Sequence, residues 1–243
     1  MKNTTWHRAE VFRLDTWLAV FQRNLTPNLE KDEIHQELWD SAPILLSIDF
    51  EKKKRRGCNR DRGTIREIGV STFDIRSLPS RPLNCQKTSD TFLFNKSQSF
   101  NQDSTAHLLQ SILREDGSRT LLIVGHALRY ELALLRDIGI DASDPAEYPN
   151  IAGCLDTKNL AGKLVFNPIG WLRKAALSDV LERLYIPYAN LHVAGNDANF
   201  TLKAMLLLSL HDIARRRAMG PSIDPSGNMA SVREIAWGLS KVS

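Results

Sequence analysis

The stretch ILLSIDFE, residues 44 to 51, constrains what this chain can fold into more than any other. A near-continuous apolar run of that length suits a central strand covered on both faces. Its last residues break the pattern. Asp49 and Glu51 stand two apart, so both side chains leave the same face of the strand. Two carboxylates on one face of a buried strand are costly unless something positive holds them. A metal ion is the simplest compensation, and open α/β sheets place their ligands at such strand ends. Taken alone, an Asp-x-Glu is a common pattern, so the rest of the chain has to decide.

Further strands and helices follow in alternation. TIREIGVSTF (64–73) is rich in β-branched and apolar residues and reads as a second strand, antiparallel to the first, with Gly69 at a bulge or a close approach. TLLIVG (120–125) and IAGCLDT (151–157) read as two more strands. Helical patterns are expected over 104–115, 130–137, 170–184 and 197–216, and Gly195 and Asn196 read as the turn before the last. An initial hairpin followed by alternating strands and helices gives a mixed sheet with helices packed on it, an α/β domain. Residues 1–42 carry an apolar stripe at helical spacing (Trp6, Val11, Leu14, Trp17, Leu18, Phe21) and form an expected helical preface. The domain proper is expected over 43–216, with a Gly-, Ser- and Pro-rich extension over 217–243. Residues 76–105 read as surface loop, with a short strand around Phe92 and Phe94.

Several function classes drop out. The three cysteines, at 58, 85 and 154, form no close pair, which argues against a disulfide framework and a thiolate zinc site. That usage suits a reducing, intracellular compartment, cytoplasm or nucleus. The apolar run from Ala204 to Leu210 is far short of a membrane span, and no secretory signal is expected at the start. There is neither a Gly-rich phosphate loop with its lysine nor a dinucleotide fingerprint, so ATPase and classical dehydrogenase readings fall.

Two further clusters carry candidate chemistry. In GHALRYELALL (125–135), Glu131 has Leu128, Leu132 and Leu135 for neighbours, which places it near the buried side of its helix. A surface glutamate is the plain alternative, and His126 could cap a strand end or sit in the core. In LHVAGNDANFTL (191–202), His192 lies on a loop and Asp197 near the start of a helix. In a metal-dependent hydrolase, Asp197 would hold a metal while His192 takes a proton from the attacking water. The simpler reading makes Asp197 a helix cap and His192 a loop residue. Tyr130 and Phe200 read as core aromatics rather than base-stacking platforms.

Together, DFE at 49–51, GH at 125–126 ahead of an acid-bearing helix, and H-x4-D at 192–197 resemble the DEDDh class of 3′–5′ exonucleases, whose fold is ribonuclease H-like. The stretches REIGVSTFD (66–74), LDT (155–157) and AGNDANFTL (194–202) look closer to a fungal family within it, linked to a DEAD-box RNA helicase and messenger RNA export. The resemblance covers roughly residues 43–213. It implies that Asp49, Glu51, Glu131 and Asp197 bind two Mg²⁺ or Mn²⁺ ions and that His192 is the general base, with single-stranded RNA or DNA as substrate. It also implies an RNA-processing or RNA-export protein as partner. Glu131 departs from the pattern, since the class has Asp there. The extra methylene moves the carboxylate by roughly 1.5 Å, at a site where placement carries much of the rate.

The net charge of +4 is mild, but Lys52, Lys53, Lys54, Arg55 and Arg56 form a run directly after Glu51. It reads as a phosphate track for a single strand, a nuclear-import signal or a solvated loop. The rival to an active exonuclease is a catalytically inactive scaffold or nucleic-acid-binding module on the same fold. The Glu131 substitution, the tail and the helical preface all favour that rival.

Overall fold

A computed structural model describes residues 43–53, 64–74, 102–114, 119–166 and 175–218. The helical preface, the expected loop strand at Phe92 and Phe94, most of the basic run and the C-terminal tail beyond Ala218 lie outside these. In chain order the elements are β1 (Ile44–Lys53), β2 (Thr64–Asp74), α1 (Gln102–Arg114), β3 (Leu121–Gly125) and α2 (Arg129–Asp137). They continue as β4 (Ile151–Asp156), α3 (Thr157–Leu164), α4 (Leu177–Arg183) and α5 (Ala194–Ala218).

The strands form one mixed sheet in the order β2-β1-β3-β4, with β1–β2 antiparallel and β1–β3 and β3–β4 parallel. Side chains of β1 alternate between two cores, as the period of a strand requires. Leu46, Ile48 and Phe50 pack with Leu109 and Leu113 of α1 and with Leu134 and Leu135 of α2. Leu45 joins Phe73, Leu122, Val124 and Leu155 in the opposite core, under α3, α4 and α5. Helices therefore cover both faces, the ribonuclease H-like α/β arrangement read from the sequence. Among the described residues, no helix is long and apolar enough to cross a membrane.

Two helix starts differ from expectation. The helix expected at 170 begins at Leu177, after Ala176 in extended backbone (ψ 164°), and residues 167–174 lie outside the described set. The last helix begins at Ala194, so Gly195 and Asn196 belong to its first turn instead of a preceding loop. Tertiary contact explains that early start. From Ala194 to Leu210 every residue but Asn199 is buried, and the first turn lies directly on β2. Gly69 makes this possible: a Cβ there would lie 1.9 Å from the Ala194 carbonyl oxygen. The glycine marks a close approach, as one of its two sequence readings held. The bulge sits nearby, where Glu51 pairs with Glu67 and Lys52 with Ile65, leaving Arg66 as the extra residue.

Candidate metal centre

The site grows from a mismatch in strand length. Pairing of β1 with β3 stops at Ser47 and Val124, while β1 runs on to Lys53. Past that point no strand among the described residues pairs with the β3-side edge of β1, and its backbone donors need other partners. Glu131, in the first turn of α2, accepts a hydrogen bond from the Phe50 N–H. Its second oxygen, Oε2, is buried with no hydrogen-bond partner. The residue is 8% exposed, so it faces inward as its leucine neighbours indicated.

Asp49 and Glu51 project from the opposite face to Phe50, beneath the start of α5. That start is held by carboxylates. Glu67 Oε1 accepts the Ala194 N–H at 3.1 Å, and Asp197 Oδ2 accepts the His192 N–H at 3.0 Å. Asn196 Nδ2 donates to the Asn190 carbonyl at 2.9 Å. Asp197 is therefore no N-terminal cap. It sits in the fourth position of α5, and its Oδ1 is buried and unpartnered. The loop it anchors carries His192 at φ 68°, a left-handed conformation uncommon for a non-glycine residue. The imidazole itself is 90% exposed, with Nδ1 3.8 Å from Glu51 Oε1.

Donor atoms of Glu51, His192 and Asp197 lie within 4.8 Å of one another. Asp49 and Glu131 couple to this group through their charges. Burial, and then repulsion from Glu131, Asp197, Glu51 and Glu67, pushes the Asp49 carboxyl up to about 8. Burial also raises Glu131 to about 8, against the Phe50 N–H and the Lys52 charge, which favour the anion. Asp197 rises to about 6, burial again outweighing the His192 N–H. So many carboxylates cannot all ionise together without a counter-charge. Glu51, His192 and Asp197 are the residues whose donor atoms come together, and the orphaned oxygens of Asp197 and Glu131, with Asp49 close enough to feel their charges, give surroundings that suit a divalent cation.

The chain's own residues fall into clear groups. Lys52 lies close enough to affect Glu131, whereas Lys54, Arg55 and Arg56 are outside the described residues and Lys53 is described only in its backbone. Phe200 is core, as expected, but Tyr130 is not: at 61% exposure it stands at the solvent edge of α2. His126 ties strand ends together, with Nδ1 3.0 Å from Thr157 Oγ1 and Nε2 3.1 Å from the Ala175 carbonyl. Asp156 closes the same corner, accepting the Ala127 N–H at 3.1 Å and the Lys158 N–H at 2.9 Å. Glu67 escaped the sequence reading. Its place beside the acids follows from the strand register, which pairs Gly69 with Asp49 and Glu67 with Glu51.

The profile described as DNA polymerase III subunit epsilon-like, C-terminal domain, of the DEDDh type, matches residues 84–208. That is just over half of the chain. The chain belongs to this DEDDh family. The matched DEDDh segment contains Glu131, His192 and Asp197, while β1 with Asp49 and Glu51 precedes it. DEDDh exonucleases generally use divalent metal ions, in keeping with the donors above, and membership of the family supports a nuclease-type function for the domain. An uncharacterized protein of Saccharomyces cerevisiae, YDR514C, is 24% identical over 219 residues, covering 75% of this chain and 44% of the yeast protein. The chain thus spans less than half the length of this curated relative.

Proposed function

We propose that this chain is a metal-dependent 3′–5′ exonuclease that hydrolyses phosphodiester bonds of single-stranded nucleic acid. The observation that carries the reading is the convergence of Asp49, Glu51, Glu131 and Asp197 at one end of β1, with unpartnered buried oxygens on two of them. These residues would hold two Mg²⁺ or Mn²⁺ ions, which when bound neutralise the acids and stabilise charge developing on the phosphate. His192 acts on the attacking water. Its Nδ1 faces Glu51, which leaves Nε2 to take the proton, and the exposure of the ring gives water and substrate access. The His192 N–H bond to Asp197 fixes the ring's origin relative to the acids. Lys52, beside Glu131, is the described start of a basic track for the strand's phosphates.

One observation favours the second reading, an inactive nucleic-acid-binding or scaffold module. Glu131 already accepts the Phe50 N–H, which competes with a metal for its carboxylate, and Oε2 is the oxygen left without a partner. The tie to an RNA helicase and to message export rests on the fungal resemblance alone. The deciding assay follows single-stranded RNA and DNA labelled at either end, in Mg²⁺ or Mn²⁺. A ladder that shortens from the 3′ end supports the exonuclease and names its sugar. Binding without cleavage in either metal selects the inactive module.

A further inference from the structure

We propose that Glu51 and Asp197 of the catalytic centre, together with His192, also bind a borderline transition ion such as Zn²⁺ or Co²⁺, and that this alternative occupation silences the exonuclease by taking His192 out of action. The inhibitory part rests on the reading of His192 as general base; the binding part does not.

The geometry is particular to these three side chains. Their donor atoms all fall within 4.8 Å, and Nδ1 of His192 is already 3.8 Å from Glu51 Oε1. Two donors each about 2.1 Å from one tetrahedral zinc lie about 3.4 Å apart, so a small inward movement completes the contact. The ring is free to make it, being 90% exposed, while its backbone is pinned by Asp197 Oδ2. Asp197 supplies the independent sign of a missing ligand. It is 8% exposed, and Oδ1 is buried with no hydrogen-bond partner.

Ion chemistry then sorts the two uses of the site. Mg²⁺ prefers oxygen donors and leaves an imidazole alone. Zn²⁺ and Co²⁺ accept imidazole together with carboxylates. Coordination through Nδ1 requires the neutral ring to carry its proton on Nε2. Nε2 is the atom that would receive the proton of water, so a transition ion held at Nδ1 removes the base while drawing on Glu51 and Asp197, which the activating ions also use. The site should therefore distinguish activating from silencing metals by whether they recruit the histidine.

The test uses the full chain stripped of metal, with Co²⁺, Zn²⁺ and Mg²⁺ each added alone. Calorimetry gives affinity, and the visible spectrum of Co²⁺ reports its ligands. The expected result is a Co²⁺ spectrum and affinity that both change in His192→Gln, with Co²⁺ and Zn²⁺ binding weakened on the order of tenfold or more. Mg²⁺ affinity should stay within about twofold, since magnesium does not use the imidazole. His192→Asn serves as a second variant, and circular dichroism checks that both are folded. Unchanged Co²⁺ spectrum and Zn²⁺ affinity in both variants would overturn the site. So would an equal loss for Mg²⁺. A protein that binds Zn²⁺ through His192 but never cleaves would sink the nuclease reading and leave the site standing. Cleavage in Mg²⁺ with Zn²⁺ binding indifferent to His192 would do the reverse.

Discussion

His126 and His192 look alike in the sequence, each on a short connection just before a helix, yet the fold treats them in opposite ways. His126 is enclosed, both ring nitrogens have partners, and burial lowers its pKa below the usual histidine value. His192 has its backbone anchored in a left-handed turn and its ring in solvent beside a carboxylate. A histidine that spends both nitrogens holds structure together, and one that keeps a nitrogen free can do chemistry. The corner around His126 is accordingly self-satisfied, through Thr157, Asp156 and Ala175. The corner around His192 is left with orphaned oxygens and crowded carboxylates.

The contrast breaks most visibly under substitution of the two rings. His192→Ala should lower cleavage by about 10²- to 10⁴-fold with little change in stability, since the ring buries almost nothing. Activity assays beside thermal melts would read both. His126→Ala should do the opposite, costing about 1–3 kcal/mol through the partners left at Thr157 and Ala175. Urea denaturation measures that loss, and activity per folded molecule should hold. Equal effects of the two substitutions on activity would erase the distinction.

Acidity sharpens the comparison further. Asp49 and Glu131 each have folded pKa values raised to about 8, and Asp197 to about 6. In the metal-free protein, the unfolded chain therefore gives up these protons at lower pH than the folded one does. Between about pH 4 and pH 8 the native state binds more protons, so stability falls as pH rises and levels off above that window. Mn²⁺ should reverse the loss, raising the melting temperature more at pH 8 than at pH 5. Melting curves in chelator and in Mn²⁺ across that range check it. A metal-induced shift independent of pH would mean that the ions bind elsewhere. The smallest effect belongs to Glu67. Glu67→Gln keeps an acceptor for the Ala194 N–H and should cost well under about 1 kcal/mol, whereas Glu67→Ala should cost about 1–3 kcal/mol.

How much of this could be read from sequence depends on where the information sits. The strand from Ile44 and the Asp49–Glu51 pair on one face follow from local periodicity, and the structure reproduces them; for Glu131 periodicity left a buried and a surface position open, and the structure buries it. The start of α5 does not. Gly195 and Asn196 have the local chemistry of a turn, and what makes them helical is contact with a distant strand at Gly69 and a bond from Glu67. The role of Glu67 needs the register of the β1–β2 hairpin, which no local pattern states. The two histidines could not be separated for the same reason, because the groups that occupy His126 lie 31 and 49 residues further along the chain. Tyr130 departs from the core expectation because its leucine neighbours belong to the other side of a short helix.

The central claim is that the acids at the end of β1 hold divalent metal. Calorimetric titration of Mn²⁺ into the metal-free chain, alongside an Asp49→Asn, Asp197→Asn double variant, tests it most directly. Removing two charges from the site should cost at least about 100-fold in affinity while the variant stays folded, and the neutralised protein should melt higher than the wild type without metal at pH 8. Mn²⁺ binding of equal strength and stoichiometry in the two proteins would contradict it.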